Sequence, residues 1–326
     1  MTDVAPPSGR TPPRIGVPAG LFSPLRRPAF PLSDASGRPV EINTTWLLDH
    51  AGGQVHLDSQ DAPAFRAYLR THLVDILGTE AVPMADRAWA AHRALVHELA
   101  YLIAGAEGGR GHALMDACRA MGKFFLSARF QPDALFRTLR VDGPHTAVIH
   151  GVETAIGSVA IAMADGERSA DALGTLATAA AVADLGLLDL PRELRDQVRP
   201  LSPTEWKELQ HHPMLSLWRM RSSGIVAPEA ERAVRYHHER WDGSGYPSRL
   251  VGIAIPIEAR YVAIADAYSA LTVARRGKPR LSRGDALREM ARSTGQFDPS
   301  LLRLLVQLLA GLSEAPQHQP TDDAVA

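Results

Sequence analysis

The stretch Leu173-Gly-Thr-Leu-Ala-Thr-Ala-Ala-Ala-Val-Ala-Asp-Leu185 constrains the fold more than any other. It is nearly all Ala, Leu, Val and Thr, the composition of a helix buried on most of its sides, so other helices must surround it. A second long apolar helix, Thr146 to Ala164, precedes it with His150 in its first turns. The later stretch closes on Asp184. An ionisable group at the end of an apolar helix is costly to bury unless it is paired or coordinates a metal; facing water is the plain alternative.

The remaining composition fits a helical protein. Of 326 residues, 45% are hydrophobic and only 6% aromatic, which suits packed helices and predicts one domain of about 200 residues plus a smaller one. The net charge of −1 excludes a nucleic-acid polymer or an anionic membrane recruited by bulk charge, so any phosphate binding must be local. A single cysteine, Cys118, excludes an intramolecular disulfide and a thiolate zinc cluster. No apolar run reaches the roughly 18 residues of a membrane span, and the N-terminus lacks a signal pattern. The expectation is a soluble cytoplasmic protein without a membrane partner.

In chain order, residues 1–14, with four prolines among small polar residues, read as a disordered lead-in. Residues 15–62 read as a small β-rich module, with strands expected at Pro31–Ile42, Trp46–Leu48 and Gln54–Asp58. Residues 63–142 read as a helical linker region, with helices over Ala64–Leu77, Met84–Ala104 and His112–Arg129. His92, His97 and His112 are lone helical histidines and receive no role. Residues 143–313 form the main helical body, and 314–326 a disordered tail.

Within the body, Ser202-Pro203-Thr204-Glu205 is a capping box that opens a helix carrying His211 and His212. A helix from Pro228 leads into Tyr236-His237-His238-Glu-Arg-Trp-Asp-Gly-Ser-Gly245-Tyr246-Pro247. Neighbouring helical histidines point about 100° apart, so both reach one metal only near a helix end or across a two-metal site. The Gly- and Pro-rich run after them must turn sharply. Ile257 to Leu271 reads as a further helix with Asp266 among Ala, Ile and Val, and Asp298-Pro299 caps the last one. His150, Asp184, His212, His237, His238 and Asp266 thus offer imidazole and carboxylate ligands that suit one or two divalent ions of iron, manganese, nickel or zinc. Two ions about 3.5–4 Å apart would clamp a phosphate and activate the attacking water.

The run His237–Pro247 resembles the signature of HD-GYP domains, all-helical cyclic di-GMP phosphodiesterases of the HD superfamily. The resemblance extends from about His145 to Leu312, through His150-Gly-Val-Glu-Thr-Ala, His212-Pro213, Asp266-Ala-Tyr-Ser-Ala-Leu-Thr272 and Phe297-Asp-Pro299. It implies a mainly α fold, an HD-superfamily helical bundle following the small β-rich module, with residues 143–313 as a metal-dependent phosphohydrolase domain. It also implies one metal held by Asp184, His212, His237 and His238. The second would be held by His150, Asp184 as a bridge, and Asp266, with Asp184 central to catalysis. Arg275 and Lys278 match basic positions that grip the dinucleotide.

This chain departs from the pattern at several positions. The histidine of the family's His-Asp pair is Ala183, and the lysine three residues beyond the aspartate is Leu187. A glutamate that some members use for a third metal is Thr146, and an aspartate common after the last ligand is Ser269. His145 and His211 are candidates to replace the missing imidazole. The function expected is a metal-dependent phosphodiesterase that hydrolyses cyclic di-GMP. The alternative is a degenerate member that binds cyclic di-GMP or a protein partner, through the Gly245-Tyr246-Pro247 loop, without turnover. The resemblance leaves a homodimer open.

Overall fold

The apolar stretch ending at Asp184 lies at the centre of a helical bundle. The computed structural model describes residues 13–50, 52–105, 111–127, 146–195, 199–273 and 280–310. Most of the expected lead-in and the whole tail lie outside them, as do Arg275, Lys278 and His145. The chain divides after Ala90 into two units.

In the first unit, strands β1 (Arg14–Pro18) and β2 (Gln54–Asp58) pair antiparallel, with Arg14 opposite Asp58 and Pro18 opposite Gln54. Helices α1 (Thr44–Asp49) and α2 (Ala62–Gly78) follow β1 and β2, and α3 (Met84–Ile103) begins there. Phe22, Phe30, Phe65 and Tyr68 form the aromatic core, with Phe22 and Tyr68 ring centres 5.2 Å apart. The Tyr68 hydroxyl donates to the Leu21 carbonyl at 2.9 Å, which satisfies its polar end.

Two expected strands are not formed. Trp46–Leu48 belongs to α1, because the Asn43 side chain accepts from the Trp46 amide at 2.9 Å and starts a helix. In Pro31–Ile42 the Asp34 carboxylate accepts from the amides of Ser36 and Arg38 and folds the segment into a turn. The bridges formed there join Ser33 to Pro39 within the segment and Ser33 to His56.

The second unit contains the rest of α3, α4 (Gly111–Ser127), α5 (Ala147–Ala164) and α6 (Ala170–Val182). After these come α7 (Arg192–Arg195), α8 (Pro203–Leu209), α9 (His212–Ser222) and α10 (Pro228–Tyr236). The last three are α11 (Ile257–Thr272), α12 (Arg283–Arg292) and α13 (Pro299–Ala310). Helix α6 packs against α4, α5 and α10, while α11 lies on α5 and α10.

Contrary to the sequence expectation, α5 and the stretch Ala170–Asp189 are long and apolar enough to cross a membrane. In the bundle, 72% and 67% of those windows are buried. The apolarity therefore serves the core, where each buried aliphatic side chain contributes about 1.5–3 kcal/mol.

Two helix boundaries differ from expectation, and both place ligands. Helix α6 stops at Val182, and the chain tightens into a 3₁₀ turn, Leu185–Asp189, with Asp184 at its head. The helix opened by the capping box ends at Leu209, and His212 begins a new one. Pro213 explains the break, since its ring would clash with the preceding turn of a continuous helix.

Candidate metal centre

Each candidate ligand sits where a local feature fixes it. His150 lies in the first turns of α5, which Thr146 caps by accepting from the Ile149 amide at 3.2 Å. Asp184 precedes the 3₁₀ turn. His212 opens α9, His237 caps the end of α10 with His238 just beyond, and Asp266 lies inside α11. The 3₁₀ turn is drawn against α9 at Gly186, whose amide donates to Ser216 Oγ at 2.7 Å. A Cβ on Gly186 would collide with the His212 carbonyl, so only glycine lets Asp184 and His212 come together.

The six side chains converge. Asp184, His212, His237 and His238 form one group of potential ligand atoms, and His150, Asp184 and Asp266 a second; within each, all lie within 4.8 Å of one another. His212 Nε2 is 3.2 Å and His237 Nε2 3.4 Å from Asp184 Oδ1, with His238 Nε2 at 4.0 Å. His150 Nε2 is 3.1 Å from Asp184 Oδ2 and 2.8 Å from Asp266 Oδ1. Asp184 is common to both groups.

The outer contacts fix the imidazole tautomers. His212 Nδ1 donates to the Leu209 carbonyl and His237 Nδ1 to the Val234 carbonyl, both at 2.7 Å, so each Nε2 turns a lone pair inward. His150 Nδ1 donates to Ser269 Oγ at 3.0 Å, and the Ser269 hydroxyl donates to Glu153 at 2.9 Å. His237 Nε2 and Asp184 Oδ1 are buried without a hydrogen-bond partner, and the Nε2 atoms of His212 and His238 face each other at 3.1 Å. Buried lone pairs aimed at one point without a proton to share are satisfied by a cation, so the donor set fits a divalent metal.

Charge is distributed unevenly. Burial pushes the His150 imidazole down, but its bonds to Asp184 and Asp266 outweigh that and raise it to about 10. Burial alone would raise Asp184, yet His150, His212 and His237 hold it well below the ordinary carboxylate range. Asp266 is raised by burial and by the Asp184 charge, and its bond to His150 brings it below the usual value. Burial, then the neighbouring His237 and His212, push His238 down to about 3.

The loop after the histidines is built onto them. Buried Glu239 accepts from the amides of Ser248 at 2.6 Å and Leu250 at 3.0 Å. Gly245 packs directly on the backbone of His238–Arg240, where a Cβ would clash. Tyr246 then stacks on His238 with ring centres 4.9 Å apart. The amides of Trp241 and Asp242 donate to the carbonyls of Gln296 and Gly295. Asp298 caps α13 and pairs with Arg260 of α11 at 2.9 Å, so the closing Phe297-Asp298-Pro299 motif secures the helix that carries Asp266.

The cluster opens into a cleft of about 780 Å³, a volume that accommodates a small-molecule ligand. Leu187, Arg195, Trp206, Gln210, Arg240 and Tyr246 help line it. Beside Ala183, a cavity of about 10 Å³ lies among Ala147, Ala180, Ala181 and the ligands. Exposed His211 precedes α9 without a side-chain capping bond and belongs to neither ligand group. Sequence reasoning missed Glu153, although its place three residues after His150 puts both on one helix face. It also missed Glu239, which no spacing announces.

The HD domain family matches residues 152–301. Over 142 residues the chain is 37% identical to the cyclic di-GMP phosphodiesterase response regulator RpfG of Xanthomonas campestris pv. campestris, covering 43% of this chain and 36% of that protein. Over 127 residues it is 35% identical to the 3'3'-cGAMP-specific phosphodiesterase 2 of Vibrio cholerae, covering 38% of this chain and 24% of that protein. The chain thus spans well under half the length of either relative. Among solved structures, Bd1817, a HDG"Y"P protein from Bdellovibrio bacteriovorus, superposes with a TM-score of 0.65 at 17% identity over 91% of this chain and all of that one. That likeness concerns the fold.

Proposed function

Since this chain belongs to the HD-GYP domain family through the HD domain at residues 152–301, we propose that it is a metal-dependent phosphodiesterase that opens cyclic di-GMP to the linear dinucleotide. One observation carries this reading: six imidazole and carboxylate groups meet around Asp184, with buried lone pairs unsatisfied, in a cleft of ligand size. Asp184, His212, His237 and His238 would hold one ion, and His150, Asp184 and Asp266 a second.

A divalent ion held there supplies Lewis-acid activation of water and of the phosphoryl oxygens. The chain supplies the rest. The carbonyls of Leu209 and Val234 hold the Nδ1 side of His212 and His237 and so leave Nε2 of each turned to the metal position, and Tyr246 holds the His238 ring in place by stacking. Ser269 accepts from Nδ1 of His150, Glu153 accepts from the Ser269 hydroxyl, and this chain aims the His150 Nε2 at the two carboxylates. We assign Arg240 on the cleft lining, with Arg275 and Lys278, to the substrate phosphates. Residues 143–313 would form the catalytic domain, 63–142 the helical linker region, and 15–62 a regulatory or docking module.

A second reading, binding without turnover, is favoured by Ala183 and Leu187. At 187 an apolar side chain lines the cleft where the family pattern places a cation, and at 183 a methyl group beside a cavity of about 10 Å³ stands where the pattern has an imidazole. Losing a charge at the phosphate costs about 2.7–4 kcal/mol of transition-state stabilisation by analogy with a lost oxyanion donor. A partner protein would find Val251 and Ile253 exposed just beyond the loop.

Metal content and cyclic di-GMP hydrolysis, measured on one sample purified without oxygen or chelator, separate the two. Two ions and turnover establish the phosphodiesterase. One ion or none without turnover, and activity gained in the Ala183→His, Leu187→Lys double variant, establish the non-catalytic reading.

A further inference from the structure

Part of the cleft lining has no role in metal binding. Trp206 is a large apolar side chain left 44% exposed on α8 and faces the same cleft as the ligands. Trp218 is more exposed, at 66%, but is not among the residues that line this cleft. The position of Trp206 is fixed: the capping box of Ser202 and Glu205 starts its helix, and Arg199 pairs with Glu205 at 2.9 Å. Gln210, four residues on, lies on the same face, and Arg195 lines the cleft beside them. The indole meets Tyr246 edge-on, with ring centres 6.1 Å apart, and Tyr246 in turn stacks on His238. An aromatic path therefore runs from the cleft surface to the ligand cluster.

We infer that Trp206, Gln210 and Arg195 form a guanine subsite of this cleft. One base of the dinucleotide stacks on the indole, and its edge is read by the Arg195 guanidinium and the Gln210 amide. Stacking uses the π-face that every base has, and so gives affinity without choosing the base. The choice comes from the edge. A guanidinium fork pairs with the two acceptors of guanine, O6 and N7, whereas adenine offers one acceptor and one donor there. This deepens the phosphodiesterase reading of the same cleft and rests on it.

The test is titration of the purified, metal-containing chain with cyclic di-GMP and with cyclic di-AMP, followed by tryptophan fluorescence and by calorimetry. Trp206→Ala is expected to weaken cyclic di-GMP binding roughly 5–150-fold while metal content stays unchanged. Trp206→Phe keeps a stacking face and is expected to bind within about threefold of the native chain while losing most of the fluorescence change. Arg195→Ala is expected to reduce the preference for cyclic di-GMP over cyclic di-AMP by roughly 5–150-fold.

Native affinity in Trp206→Ala, or loss of metal along with affinity, overturns the subsite alone. An unchanged base preference in Arg195→Ala overturns the assignment of that residue as a reader. A native chain that holds metal yet binds no cyclic di-GMP overturns the phosphodiesterase reading, and the subsite falls with it.

Discussion

The two sides of Asp184 differ in what they lack. On one side His212, His237 and His238 come from helix ends, and two of them have their Nδ1 protons committed to backbone carbonyls. Among the described residues Asp184 Oδ1 and His237 Nε2 are buried without a well-formed hydrogen bond. On the other side His150 and Asp266 stand on the long helices α5 and α11, and His150 Nε2 lies within hydrogen-bond distance of both carboxylates, which raise its imidazole to about 10. One proton on His150 serves two carboxylates, whereas on the first side three imidazoles crowd a single carboxylate oxygen. With Ala183 in place of a fourth ligand, the second side also offers an ion less. The protein should therefore fill the histidine-rich side first and the His150 side only at higher metal concentration.

The largest break in this comparison comes from removing the shared group. Asp184→Ala is expected to leave no metal bound by elemental analysis, because both sides use the same carboxylate. Without metal, the substitution leaves His150 with one anionic partner, and removing one member of a buried charged pair costs about 3–5 kcal/mol. Retention of one ion by the variant would mean that the two sides do not depend on Asp184 together.

A smaller, one-sided effect is expected from the groups behind His150. Ser269→Ala removes the acceptor of the Nδ1 proton, and contacts of this kind typically affect metal affinity by about 10–100-fold. The loss should fall on the weaker of two binding steps in a calorimetric titration and leave the stronger step unchanged. Glu153→Gln keeps the length of the side chain and should do the same to a lesser extent. Equal losses at both steps would show that Ser269 supports the bundle rather than one ligand.

Much of this asymmetry was legible in the chain, and the reasons are specific. Helices α5 and α6 announced themselves because apolar side chains run round their whole circumference, and Asp184 stood out as a carboxylate ending such a helix. The division of ligands between two ions came from the family resemblance, since spacing does not say which histidines meet. The helix at Trp46 and the break before His212 were hidden because one capping side chain and one proline override longer patterns. Gly186 and Gly245 each allow a close approach between segments, and nothing in the local sequence tells such a glycine from one in a turn. Trp206 carries no signal in the sequence, since only the cleft beside it sets it apart from other helix residues.

The smallest expected effect concerns pH and bears on the claim that a proton takes the place of an ion. His150 is raised to about 10 in the fold, against about 6.5 for an unperturbed histidine. A group whose folded value is raised contributes stability that is fully present below pH 6.5 and is lost as pH climbs through 10. Buried His237, also raised, has the same sign, and so do Cys118 and Tyr68, pushed up to about 12 by burial, whose losses begin only at their ordinary values of 9.0 and 10.0 and so touch just the top of this window. Chelator-treated protein should therefore melt at progressively lower temperature from pH 7 to 10, by roughly 2–4 °C for each kcal/mol lost. Metal-loaded protein should show a flatter profile, because the Nε2 proton has already been displaced. His150→Asn removes the titrating group and should flatten the chelator-treated profile as well. If that variant keeps the native slope, the proton sits elsewhere, and the His150 side is then as short of a cation as its neighbour.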